Sequence, residues 1–325
     1  MALNYAEQWN PELLEILIQG SLTSPFITEN VKWLGAKTFH FTQMSTSGYK
    51  NHNRKGGWNT GTYSQEDLPY TLTHDRDIEF LVDKADVDET NATASIKNIS
   101  TTFVKTQVVP ETDALFFSKV AQAAQNTEGY HGTTPIASYT KAKVFGMLKD
   151  ILAKGKLRRY KANGSLIMYV RSEIMDALEQ STEFTRKIEM TQIAEGGIGI
   201  ETRVTDIDGV TIMEVIDDER FYDAFNWEPE DGGFEPLKKV TEDTEHGIKA
   251  VTGAHKINVL VACGQTCKTV PKINSIYYFE PGAHTKGDGY LYQNRSFSDV
   301  FVFPNGRDAK IDSVYVDVDT VEVAA

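Results

Sequence analysis

The chain has 325 residues, a formal net charge of −13 and 40% hydrophobic residues. The hydrophobic share suffices for a packed core, while the acidity argues against a protein built mainly to grip phosphates, which takes clustered Lys and Arg. Cys263 and Cys267 are too few for the disulfide framework of a secreted scaffold, so a reducing cytoplasm is the expected place of synthesis.

At the N-terminus, Asn10 can cap a helix, Pro11 suits its first position and Gly20 ends it, with Leu13, Leu14, Leu17 and Ile18 as the apolar face. Glu7, Glu12 and Glu15 stand where a signal peptide would be basic, and no apolar run approaches the ~18 residues of a membrane span. Residues 33–44, with Phe39 and Phe41, read as a strand. The next stretch, to about residue 67, is rich in Gly, Asn, Ser and Thr, with Lys50, Arg54 and Lys55 as its close basic group. A polar connection that long is uncommon inside a compact domain and tends to be functional. Strands at 37–44 and 70–82 on either side of it would make a projecting hairpin. One subunit cannot bury both faces of such a ribbon, which favours assembly.

Residues 78–82 are apolar and β-prone, and Thr71, Leu72 and Thr73 before them alternate, as a strand with one wet face does. The acids Asp83, Asp86, Asp88 and Glu89 suit the positive end of a helix, predicted to start near Asp88. Ile96, Ile99, Phe103 and Val108 give that helix one narrow apolar face, so it should lie along a surface or beside a sheet. Pro110, with Glu111 and Asp113, fits a first helical turn, and the helix is expected to be reset there. Ala114, Phe117, Val120, Ala121 and Ala124 then form a second face. Run end to end as far as Gln125, the two pieces would make a rod roughly 50 Å long at about 1.5 Å per residue.

In the middle of the chain, residues 138–155 predict a helix through Val144, Met147, Leu148, Ile151 and Leu152. The basic cluster Lys154, Lys156, Arg158, Arg159 and Lys161 reads better as a solvated turn or a contact between subunits than as a nucleic-acid site, having only Tyr160 as an aromatic. Asn163 and Gly164 turn into a buried strand at 165–170, and Ser172 with Glu173 opens a short helix, which implies an α/β layer. A hairpin is predicted from strands 200–204 and 211–215 around Asp208-Gly209. Gly196-Gly197-Ile198-Gly199 lacks the strand-to-helix setting of a phosphate loop, and Asp206, Asp208, Asp217 and Asp218 lack calcium-loop spacing. Residues 221–247, acidic and holding Trp227, read as a surface excursion.

From Lys256 the chain is β, with strands expected at 257–263, 273–279, 290–294, 300–303 and 313–318. Cys263 and Cys267 could supply half a zinc site, yet no second pair comes after them, so two buried or edge thiols are expected. The histidines, at 40, 52, 74, 131, 246, 255 and 284, have no nucleophile or carboxylate signature beside them. No residue stands out as catalytic, cofactor-binding or metal-binding.

The order of strand, long narrow-faced helix and proline joint resembles the major capsid proteins of tailed bacteriophages with the Hong Kong ninety-seven type shell fold. Thr73-His74-Asp75-Arg76, Phe80-Leu81-Val82-Asp83, residues 86–90 and Val109-Pro110-Glu111-Thr112-Asp113-Ala114 carry the likeness. So do residues 287–290 and 295–301, with Ser298 where a histidine is more usual. The resemblance implies an α+β chain with an N-terminal arm (1–36) and an extended loop (37–84). It also implies a peripheral domain with a spine helix (85–125 and 254–325) and an axial domain (126–253). The implied function is an icosahedral head shell around the phage genome, the alternative being a cargo-enclosing bacterial nanocompartment of the same fold. Implied partners are further copies of itself in pentamers and hexamers, a scaffolding protein and a portal. Double-stranded DNA would be enclosed without sequence-specific binding, there would be no membrane, and assembly would occur in the host cytoplasm, giving a non-enzymatic virion protein.

Overall fold

The computed structural model describes residues 19–28, 33, 37–52, 54, 56–85, 96–154, 157–161, 165–181, 189–192, 201–240, 251–305 and 310–324. The predicted helix at 10–20, apart from Gln19 and Gly20, and the predicted helix start near Asp88 lie outside these residues, as do Gly196 to Gly199.

The first long elements are β1 (Thr38–Thr46) and β2 (Tyr63–Thr71), which pair antiparallel with each other and, among the described residues, with no third strand. Among their described side chains the buried ones lie at the root, where Phe39 stacks on Tyr70 at 5.5 Å and both meet Phe301 edge-on. The second arm of the hairpin is therefore 63–71, not the predicted 70–82. The chain breaks at Leu72 and Thr73, where the Leu72 amide turns back to the Lys37 carbonyl at 2.9 Å and Thr73 bonds to Asp299. The next strand, β3 (His74–Asp83), then enters a different sheet. Its burial alternates along the whole length, with Arg76, Phe80 and Val82 inward and Asp75, Asp77 and Glu79 outward.

Helix α1 (Ile96–Phe103) runs through a π-helical turn (Val104–Val108) into α2 (Val109–Gln125) without leaving right-handed helical dihedrals. The rod exists, with its described part about 45 Å long at roughly 1.5 Å per residue. Pro110 does not reset it. The register changes earlier, where the Val109 amide reaches five residues back to the Val104 carbonyl. Pro110, with no N–H to give, then falls in the first turn of α2.

Beyond the rod come β4 (His131–Thr133), α3 (Val144–Ala153), α4 (Arg158–Lys161), β5 (Leu166–Arg171), α5 (Ser172–Glu179), β6 (Glu189–Gln192), β7 (Glu201–Ile207) and β8 (Val210–Val215). The β7–β8 turn is the predicted one: Asp208 (φ 55°) and Gly209 (φ 74°) are both left-handed, as a two-residue hairpin turn requires. Short strands β9 (Phe225–Asn226) and β10 (Glu235–Pro236) pair next. The chain closes with β11 (His255–Cys263), β12 (Cys267–Phe279), β13 (Gly289–Val302) and β14 (Tyr315–Glu322).

A mixed sheet of order β4-β14-β11-β5-β8-β7-β6 forms the largest layer. Its central strands are apolar runs because both faces are covered. Phe116, Phe117, Val120 and Ala124 of α2 pack on one side, and Val144 and Leu148 of α3 with Ile174 and Leu178 of α5 on the other. A second sheet, β12-β13-β3, lies under α1, where Phe80, Val82 and Tyr292 meet Ile96 and Phe103. Gly289 is required where β13 begins, since a Cβ there would sit 2.4 Å from the Val82 carbonyl oxygen. Of the C-terminal strands, only β12 and β13 belong to the layer under α1, while β11 and β14 join the large sheet. The strands predicted at 290–294 and 300–303 are one, and residues 221–247 are not wholly an excursion, since Phe221 is fully buried in the core and Phe225 nearly so.

Candidate assembly surfaces

Being only two strands wide, the hairpin leaves much of its side-chain surface open. Past the root, Met44 is 58% exposed and Tyr63 77%, and at the tip Tyr49 and Trp58 are essentially fully exposed. Cross-strand Ser45 and Ser64 hydroxyls, 2.6 Å apart, continue the ribbon, so it holds its shape without a core. Large aromatic rings left in water are the kind of surface that another chain covers.

Its root is fixed by one buried acid and one half-buried acid. Asp299, 2% exposed, accepts hydrogen bonds from the Thr73 amide (2.9 Å) and hydroxyl (2.8 Å), with Lys119 Nζ of α2 at 3.5 Å. Glu111 of α2 accepts from Arg76 Nε at 2.9 Å, and His74 Nε2 lies 3.0 Å away. The remaining Arg76 nitrogens donate to the Trp227 carbonyl and, at 2.6 Å, to that of Gly233, while His74 meets the Trp227 ring edge-on at 4.9 Å. Asp113 is buried likewise, paired with Arg220 at 2.9 Å. From the sequence, Glu111 and Asp113 are acids of a helix start, but here they are anchors. A signal was available, because Asp113 sits four residues before Phe117 and so falls on the apolar stripe.

A second exposed surface is the outer edge of the smaller sheet. Helix α1 covers β3 and β13 but leaves the later part of β12 bare, with Ile276 57% and Tyr278 49% exposed and Tyr278 stacked on Tyr290 at 6.3 Å. On the opposite face, ion pairs Asp75–Arg295 (2.8 Å) and Glu79–Lys286 (2.6 Å) line the strands. Hydrogen bonding from Arg295 and from Lys286 holds each carboxyl below its ordinary range.

Among the described residues, which do not include His246, nothing gathers the side chains that could have carried chemistry. His40, His52 and His131 are exposed on separate elements, His74 serves the hairpin root, His255 lies beside Asp223 and Glu322, and His284 contacts the Gly289 carbonyl. Among the described residues no group of three His, Cys, Asp or Glu side chains is placed to hold a metal. Asp217 is taken by Arg220 and Asp218 by Lys256, so the acidic residues of that region do not converge. The basic cluster is divided as well. Lys154 turns onto Tyr315, donating to its hydroxyl at 2.8 Å, whereas Arg158 and Arg159 stay exposed. Cys263 and Cys267 are free and buried, as expected, and burial pushes the Cys267 thiol up to about 12, away from nucleophilic thiolate.

No protein-family model matches the sequence, and no curated protein matches it. Solved structures do. The mature capsid of bacteriophage PhiM1 aligns over 95% of this chain and 90% of its own, at 12% identity and a TM-score of 0.58. The capsid of cyanophage P-SCSP1u aligns over 98% and 93%, at 10% identity and a TM-score of 0.59. A structure from Mycobacterium phage Che8 covers 97% and 98%, at 10% identity and a TM-score of 0.54. The likeness is one of fold over nearly the whole chain, and it is the α+β phage capsid fold that the sequence resemblance implied.

Proposed function

We propose that this chain is the major capsid protein of a tailed bacteriophage, a structural subunit that builds the icosahedral head shell around the genome. The observation that carries the reading is the bare hairpin on a body whose fold is that of phage capsids: among the described residues, its aromatic tip rings Tyr49 and Trp58 and the ribbon residues Met44 and Tyr63 stay exposed. Binding energy in such a protein is spread over large interfaces between copies, with no need of a pocket.

In this reading residues 1–36 are an N-terminal arm and 37–84 the extended loop. Residues 85–125 with 254–325 form the peripheral domain and 126–253 the axial domain, with β11 and β14 lent to the axial sheet. Copies cluster as pentamers and hexamers, a scaffolding protein and a portal take part in assembly in the host cytoplasm, and DNA is enclosed without sequence-specific contacts. The role is structural, not catalytic.

Electron microscopy of the purified, overexpressed chain tests this directly. Closed shells built of five- and six-membered rings are expected, and a dispersed monomer at high concentration would end the proposal. Particles from an infected host should hold genome. A single co-purifying enzyme inside them would instead point to a nanocompartment.

A further inference from the structure

Residues 19–28 take a path unlike the rest of the chain. Gln19 sits at the end of β8, its side-chain nitrogen donating to the Glu214 carbonyl at 3.0 Å and its side-chain oxygen accepting from the Ile216 amide at 2.9 Å. Three residues then converge on Asp113 of α2. The Leu22 amide (3.0 Å), the Thr23 amide (3.2 Å), the Thr23 hydroxyl (2.6 Å) and the Ser21 hydroxyl (3.1 Å) all donate to its carboxylate. Tyr169 of β5 donates to the Leu22 carbonyl at 2.8 Å, and Phe26 lies on Phe116 with ring centroids 4.5 Å apart. The segment ends at β12, where the Thr28 amide donates to the Thr269 carbonyl at 2.9 Å. Ten residues thus reach the large sheet, the rod and the small sheet in turn.

How this segment is held differs from how the sheets are held. Its main-chain contact with the sheets is at β12, where Ile27 forms an isolated parallel bridge with Thr269 and the Thr28 amide donates to the Thr269 carbonyl; elsewhere it is held chiefly through side chains, above all the Asp113 carboxylate. The charge that balances Asp113 does not come from the segment. Arg220, 1% exposed, belongs to the body; it pairs with Asp113 at 2.9 Å and with Asp217 at 2.5 Å, and it also donates to the Gln19 carbonyl at 3.0 Å. Residues 21–23 bring only neutral donors. If they lift away, Asp113 keeps its guanidinium partner, so the large penalty for stranding a buried charge is avoided.

We infer that residues 19–28 are a separable strap, locked by Asp113, that opens while both sheets stay folded. Beyond the isolated Ile27–Thr269 bridge at the edge of β12, the described residues of the strap add no strand to either sheet, so β5, β8, β11 and β12 keep their own partners when it leaves. Asp113 is a positioning residue for the strap, and Arg220 is what lets the lock open without cost in unpaired charge.

Native-state amide hydrogen exchange on the full-length protein reads this out. In the unmodified chain, the amides of Leu22, Thr23 and Thr28 should exchange together, at least about 10-fold faster than those of β5 and β11. Thr23→Val, which keeps shape but removes the shortest bond to Asp113, should speed those three amides by about 10- to 100-fold and leave β5 and β11 unchanged. Arg220→Met should instead speed exchange everywhere, because it strands the acid; the unmodified chain and Thr23→Val decide the matter even if this variant does not fold. Strap amides exchanging only at the core's rate, with Thr23→Val moving all of them equally, would overturn the inference. Shell formation plays no part in the measurement, so a chain that never built particles would fail the proposed function while leaving the strap to be judged alone.

Discussion

The large sheet and the β1–β2 hairpin are both antiparallel in part, yet they are stabilised in opposite ways. β11 is buried from Ile257 to Cys263, with a helix layer on each side, whereas the described residues of the hairpin join a core at its root, through Phe39 and Tyr70 beside Leu72. The sheet is paid for by burial inside one subunit. The hairpin keeps its strand pairing but leaves its side chains for something outside. Local hydrogen bonding and core burial are therefore separable here, and only the sheet should determine whether an isolated chain is folded.

The sharpest way to break the contrast is Phe117→Ala. This side chain is fully buried against Tyr169 and Phe221, and its loss should lower unfolding free energy by about 3–5 kcal/mol in chemical denaturation. Asp299→Asn acts at the seam between the two regions. Losing the charge that Thr73 and Lys119 address should cost about 1.5–3 kcal/mol and free the hairpin root, seen as faster exchange of the Thr73 amide.

Acid should produce a smaller effect confined to the large sheet. Burial raises the Asp317 carboxyl above its ordinary range, despite donors from Tyr139, Thr134 and Asn258. A raised folded-state value means that the folded chain binds this proton more readily than the unfolded one. The contribution is therefore full at pH below the ordinary carboxylate value and is lost as pH rises through the folded value. Wild type should gain stability relative to Asp317→Asn as pH falls from neutrality, and parallel pH curves for the two would refute this. Smallest of all on stability is Trp58→Ser at the hairpin tip, expected within about 0.5 kcal/mol of wild type by denaturation, while particle yield in electron microscopy falls.

Much of this was legible in the residues. The stripe of Phe117, Val120, Ala121 and Ala124 fixes the face of α2, the alternation through β3 fixes its two sides, and Asp208-Gly209 fixes its turn. β2 was missed because Tyr-Ser-Gln-Glu-Asp-Leu-Pro-Tyr-Thr has almost no apolar beat. A ribbon wet on both faces needs none, so periodicity has nothing to report. β13 was divided in two for a related reason, since its polar middle, Asn294 to Ser296, lies where the ladder runs on between β12 and β3. Pairing of Asp113 with Arg220 joins positions far apart in sequence, and spacing alone could not supply it.

Among the described residues, the nine-residue strands of the hairpin are packed on the body at their base, around Phe39 and Tyr70. At about 3.3 Å per residue the ribbon is a lever roughly 30 Å long, so a swing of about 10° at Phe39 carries its far end about 5 Å. In the proposed shell, rings of five and of six would present their neighbours at different angles, and a pivot at this one aromatic joint would let one polypeptide meet both while its globular part keeps the same shape.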